Sequence, residues 1–126
     1  MKKEIVALAA LALLLIGAFV NIHFLNRLTG EIIAYIEEAD WYIREENWDK
    51  AREKAEKANA RWEGSESYTH IVLRHSDIDS AGNTLTELLK EIKEENAGAA
   101  EAAAKAAAAR FRSVATIERV RLGSVF

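Results

Sequence analysis

IVALAALALLLIGAFVNIHFLNRLTGEIIAYIEEADWYI, residues 5–43, decides how this chain is built. Its first part, Ile5 to Val20, carries no charged or strongly polar side chain. As a helix it would extend roughly 24 Å, short of the roughly 30 Å hydrocarbon core of a bilayer. Continuing through Asn21, Ile22, His23, Phe24 and Leu25 reaches about 31 Å, with Asn21 and His23 at the far interface where their polar groups meet water. Residues 1–25 therefore read as a membrane anchor and residues 26–126 as a domain outside it. From Leu25 onward the pattern changes. Leu28, Ile32, Tyr35, Ile36, Ala39 and Tyr42 or Ile43 recur every three or four residues, with Glu31, Glu37, Glu38 and Asp40 between them, which is the stripe of a helix lying on a core in water. The expected fold is all-α: an N-terminal transmembrane helix that continues into an antiparallel bundle of three to four helices.

A cleaved signal peptide is the rival reading of the first segment, and it needs small residues at the first and third positions before the cut. Cleavage after Ala18 would place Ile16 at the third position, so an uncleaved signal-anchor is preferred. Lys2 and Lys3 precede the span and Arg27 alone follows it closely, which by the positive-inside rule puts the N-terminus in the cytoplasm and the C-terminal domain outside a cell membrane crossed once.

Composition agrees with helices. The 126 residues include no proline and six glycines, and one compact unit fits that length. The absence of cysteine excludes disulfides and thiolate metal sites. A net charge of −3 with acids and bases interleaved argues against nucleic acid as a partner.

Glu45 and Glu46 interrupt the first stripe, and Asn47 is placed to cap a second helix with Trp48, Ala51, Ala55, Ala58 and Trp62 on one face, ended by Gly64. Ser65 or Ser67 is expected to cap a third helix, the longest of the domain, striped by Tyr68, Ile71, Val72, His75, Ile78, Gly82, Leu85, Leu88, Leu89 and Ile92. After a break at Asn96, Ala97 and Gly98, ten of the thirteen residues from Ala97 to Ala109 are alanine. Alanine is the strongest helix former, Glu101 and Lys105 add a four-residue ion pair, and small side chains allow close helix approach. Short connections make successive helices antiparallel. The last helix then returns Arg119, Arg121, Leu122, Val125 and Phe126 toward the bilayer, where they either touch headgroups or close the bundle core.

His70, His75, Asp77 and Asp79 are the weak metal candidates, with His75 and Asp79 one helical turn apart. The alternative places His75 on the apolar stripe with a ring nitrogen hydrogen-bonded to a neighbour, and Asp77 and Asp79 in water. Trp48 and Trp62 could frame a ligand cleft but fit better as anchors of a thin core. No phosphate loop, nucleophile elbow or paired-cysteine pattern occurs, and no second copy of the Asn47–Ala51 segment stands about 34 residues away, as a tetratricopeptide repeat would require. Neither a catalytic set nor a cofactor is expected.

Taken together, the apolar N-terminus, the Asn47-Trp48 start of a helix closing near Trp62, the run His75-Ser76-Asp77-Ile78-Asp79 followed by Leu85, Leu88 and Leu89, and the Val125-Phe126 close resemble the domain of unknown function numbered 4363, a family of small single-span bacterial membrane proteins. The alanine stretch departs from the larger apolar residues expected there. The resemblance implies the fold, attachment to a membrane and an accessory role beside other membrane proteins, and it carries over no catalytic residue. The expected function is that of a structural or accessory protein binding a neighbouring membrane protein, through the alanine-rich helix or the His75–Asp79 surface. The alternative is a sensor domain taking a metal or small ligand at His70, His75, Asp77 and Asp79.

Overall fold

A computed structural model describes the backbone of residues 1–125. The side chains of Tyr68, Ile71, Val72, Glu118, Arg119 and residues 121–125, together with Phe126, lie outside the described residues. So do the expected stripe positions Tyr68, Ile71 and Val72 and the expected bilayer or core contacts of Arg119, Arg121, Leu122, Val125 and Phe126.

Every element among the described residues is helical: α1 (Lys2–Arg44), α2 (Trp48–Glu63), α3 (Glu66–Val72), α4 (His75–Lys93) and α5 (Ala97–Val125). α1 runs from the apolar segment into the bundle without a break. Its first part is bare, with Ile5, Leu8, Leu13 and Phe19 all exposed, whereas Leu25, Leu28, Thr29, Ile32, Ile36, Ala39 and Ile43 are buried. The core thus begins at Leu25, the last residue of the expected anchor. Thr29 is tolerated inside because its hydroxyl donates to the Leu25 carbonyl at 2.9 Å.

α1, α2, α4 and α5 form the bundle, α1 packing on α2 and α5, and α4 on the same two helices. The directions follow from the ion pairs. Glu38 meets Lys54 and Glu31 meets Arg61, so α2 descends beside α1. Arg112 meets Glu37 while the groove between α1 and α5 brings Arg44 beside Lys105, so α5 descends as well.

The turn at the top of α1 is used again at the top of α4. Arg44-Glu45-Glu46-Asn47 and Lys93-Glu94-Glu95-Asn96 share the Glu-Glu-Asn sequence. In both, the second glutamate is left-handed, Glu46 at φ 57° and Glu95 at φ 54°. The asparagine side chain then accepts from the third amide of the next helix, that of Lys50 in one case and Ala99 in the other. Aligning Asn47 with Asn96 brings the cores into register. Ile32, Ile36, Ala39 and Ile43 match Ala81, Leu85, Leu88 and Ile92, while Ala51, Ala55, Ala58 and Trp62 match Ala100, Ala104, Ala107 and Phe111. All of these are buried. The bundle is therefore an internal repeat of one helical hairpin, with α1–α2 packed against α4–α5.

The single long third helix expected from the stripe is two helices. Leu73 (φ −108°, ψ 155°) and Arg74 take extended backbone between α3 and α4, and Leu73 turns its side chain into the core. The break lets the chain cross the base of the bundle and start α4 in the register of its counterpart α1. α5, not this segment, is the longest helix after α1. Ser65 does not cap α3 through its side chain; its hydroxyl donates back to the Trp62 carbonyl at 2.7 Å.

Candidate functional site

The expected metal residues gather at the corner between α3 and α4. His75 Nε2 stands 3.3 Å from Asp79 Oδ2, and the His70 and His75 rings meet edge to face with centroids 6.2 Å apart. Asp77 is half-buried and His70 is exposed. His75 is 81% exposed, so it is not a member of the apolar stripe as expected: α4 turns Ile78 and Ala81 inward, and the position one turn below them falls outside the core. Among the described residues no three His, Asp or Glu side chains converge on a point where a metal ion would sit.

Trp62 is a core residue. It is 4% exposed and meets Phe111, its counterpart in the second hairpin, edge to face at the centre of the bundle. Gly82 of α4 lies beside the same indole. Trp48 packs on the edge of the core, half-buried.

A groove of about 380 Å³ runs between α1 and α5, lined by Glu37, Asp40, Arg44, Lys105 and Arg112 over Ala104 and Ala108. Its charges are matched within the chain: Arg44 to Asp40 at 3.0 Å, Arg112 to Glu37 at 2.7 Å and Lys105 to Glu101 at 3.2 Å. Asp40 Oδ1 is enclosed and accepts no hydrogen bond from a described residue. The matching position on α4 is Leu89, which packs on the core.

The flank between α1 and α2 is held by ion pairs. Arg61 Nε lies 2.7 Å from Glu31, and Arg27 approaches the same carboxylate. The Arg61 hydrogen bond holds the Glu31 carboxyl below its ordinary value against the opposing pull of burial, and the charges of Arg61 and Arg27 add to it. Lys54 is pushed up by its hydrogen bond to Glu38, again against burial.

Trp41 escapes the periodicity reading, which follows inward-facing positions only. It stands on the outer face of α1, 54% exposed, its indole edge to face with Tyr42 at 5.0 Å. Beside it a recess of about 280 Å³ is lined by Glu38, Trp41, Tyr42 and Lys54. A large apolar side chain left in water amid charged neighbours is the signal that could have found it.

No curated protein and no solved structure matches the chain. The family model of the domain of unknown function DUF4363 matches residues 19–125, taking in the whole bundle and only the last residues of the apolar run. The chain belongs to the DUF4363 family.

Proposed function

We propose that this protein is a non-catalytic accessory component of a membrane, anchored by the first part of α1, with its helical bundle outside the cytoplasm binding a neighbouring membrane protein. One observation carries the reading: a single uninterrupted helix is apolar and uncovered through Phe19 and Val20 and becomes a core strut of the bundle from Leu25. Such a helix is long and apolar enough to cross a bilayer. A hydrophobic surface of that extent left in water would drive association, and lipid covers it at no cost to the bundle. With anchor and bundle sharing one rod, the domain sits at a set height over the membrane, which favours a partner fixed in the same plane.

The chain lacks cysteine, so single introduced thiols report its topology. Lys3→Cys and Glu94→Cys variants are expressed in a bacterial host and treated with an impermeant maleimide. Both are expected to stay with membranes through an alkaline carbonate wash, with position 94 labelled in intact cells and position 3 labelled only after lysis. Release by carbonate removes the anchor, and the opposite labelling removes the orientation.

A further inference from the structure

We propose that the outer flank between α4 and α5 is the docking surface for a helix of a second membrane protein, one that sets a lysine or arginine on Glu87 and, two turns away, an aspartate or glutamate on Arg110. This rests on the accessory reading above and deepens it by giving the partner's chemistry.

The two hairpins close their outer flanks differently. On the first, two ion pairs bridge the helices, Glu31 with Arg61 at 2.7 Å and Glu38 with Lys54 at 3.0 Å. The alignment of Asn47 with Asn96 matches Glu38 to Glu87 and Lys54 to Ala103, and it matches Glu31 to Ser80 and Arg61 to Arg110. The second hairpin therefore keeps one member of each pair and puts a small neutral residue in place of the other. Among the described residues Glu87 and Arg110 form no ion pair and no side-chain hydrogen bond, and both are exposed. The charges near them are engaged elsewhere. Lys90, one turn above Glu87, approaches Glu91 instead, Asp79 meets His75, and Lys105 meets Glu101.

The two replacements leave a groove of about 370 Å³, lined by Ser80, Asn83, Thr84 and Glu87 of α4 over Ala103 and Ala106 of α5. In the first hairpin the counterparts of Glu87 and Ala103 are a carboxylate and the lysine that meets it, so this arrangement of two helices accepts a basic side chain on the acid. Ala102, Ala106 and Ala109 are exposed along the outer side of α5, and side chains this small let a third helix approach closely. Glu87 and Ser80 stand seven residues apart on one face of α4, so the unmatched acid and the unmatched base beside Ser80 differ in height by roughly 10 Å. A helix lying along the groove meets both when it carries a base and an acid at that same spacing, the base farther from the membrane. The anchor decides against a second copy of this chain. Copies held in one bilayer through α1 stand at equal heights, which sets Glu87 against Glu87 and Arg110 against Arg110, a repulsive arrangement. Height likewise decides against lipid: Glu38, the counterpart of Glu87, lies thirteen residues beyond Leu25, roughly 20 Å along the helix axis.

The test uses the full chain in its native membrane with a photoreactive benzoylphenylalanine in place of the exposed Ala102, which leaves Glu87 and Arg110 intact. Illumination is expected to give one adduct to another membrane protein, in a segment that carries lysine or arginine two helical turns from aspartate or glutamate. Its yield should fall about tenfold in the double variant Glu87→Gln with Arg110→Gln, whose exposed positions leave thermal unfolding unchanged. Ser80→Glu with Ala103→Lys restores both ion pairs of the first hairpin within the chain, and it should abolish the adduct while the thermal midpoint holds or rises. An adduct that survives either double variant at full yield, one to lipid or to a second copy of this chain, or one to a segment without that charge pattern overturns the proposal. Partner adducts obtained only from a photoreactive residue at position 41 or 79 overturn this surface and leave the accessory reading standing; no adduct from any of these positions removes both.

Discussion

Trp62 and Phe111 occupy matching positions of the two hairpins and meet each other edge to face, ring centroids 5.1 Å apart and planes at 82°, in the middle of the bundle. Around them the helix faces are mostly alanine: Ala51, Ala55 and Ala58 on α2, Ala100, Ala104 and Ala107 on α5. Small residues let the helices approach, and the paired rings fill the space that remains.

Truncating one ring therefore leaves a cavity that alanine neighbours cannot fill. Phe111→Ala is expected to cost about 3 to 5 kcal/mol in urea unfolding of the full chain held in neutral-lipid nanodiscs. Phe111→Trp alone overpacks and costs about 1 to 3 kcal/mol. The exchange Trp62→Phe with Phe111→Trp preserves total volume on one shared contact and costs less than about 1.5 kcal/mol. An exchange as damaging as the alanine variant would refute the matched packing of the hairpins.

The two Glu-Glu-Asn turns give a second prediction. Glu46 and Glu95 hold left-handed backbone, which side chains with a Cβ adopt at a cost and glycine adopts freely. Glu46→Gly and Glu95→Gly should each stabilise the bundle by about 0.5 to 1 kcal/mol, part of the relief being offset by the greater freedom of glycine in the unfolded chain. No described hydrogen bond or ion pair links the two turns, so the double variant should sum the single effects, read from urea midpoints at unchanged slope.

Much of this fold was legible in residues 5–43. The spacing of Leu25, Leu28, Ile32, Ile36, Ala39 and Ile43 named the buried face of α1, with the expected Tyr35 and the alternative Tyr42 only partly buried at its edges, because burial at a period of 3.6 leaves a direct trace in sequence. The Asn47 cap and the Gly64 stop were likewise readable, since capping depends on local groups. The break at Leu73 and Arg74 was not. The expected stripe continues across it in sequence, whereas the backbone is extended at Leu73 and Arg74 and Leu73 is buried in the core. The repeat was missed because its copies share a turn and small core residues, with outer faces that differ: Glu53 and Lys57 on α2 correspond to Ala102 and Ala106 on α5. The exposed Trp41 was the least legible part, because it points away from every pattern that reports burial.

Asp40 offers a third prediction. Its side chain is 14% exposed, one oxygen takes Arg44 at 3.0 Å, and the other is enclosed without a donor among the described residues. An enclosed acceptor left unmatched costs about 1 to 3 kcal/mol, and the Arg44 contact, on a side chain 56% exposed, returns little of it. The second hairpin places Leu89 at this position. Asp40→Leu is accordingly expected to raise the urea midpoint, by about 1 kcal/mol or more in stability. A loss of stability would mean that the carboxylate is matched in solution and that the groove between α1 and α5 depends on it.

The Glu31–Arg61 and Glu38–Lys54 pairs set the limits of pH over which the flank between α1 and α2 holds. Arg61 lowers the Glu31 carboxyl from its reference value of 4.5, first through their hydrogen bond. A lowered carboxyl contributes stability that is present above its unfolded value and lost as pH falls through the folded one. Glu38 raises Lys54 from 10.5, so its contribution is present below that value and lost as pH rises through the higher folded one. Wild type and Glu31→Gln should therefore differ in thermal midpoint by a constant amount between about pH 6 and 9, the difference closing on acidification below 4.5. Lys54→Met should differ from wild type by a constant amount over the same interval, the difference closing only above 10.5. Both pairs are partly exposed, so 1 M salt should narrow the two differences together. A Glu31→Gln difference that stays flat through the acid range would show that Arg61 holds α2 to α1 by packing of its stem alone.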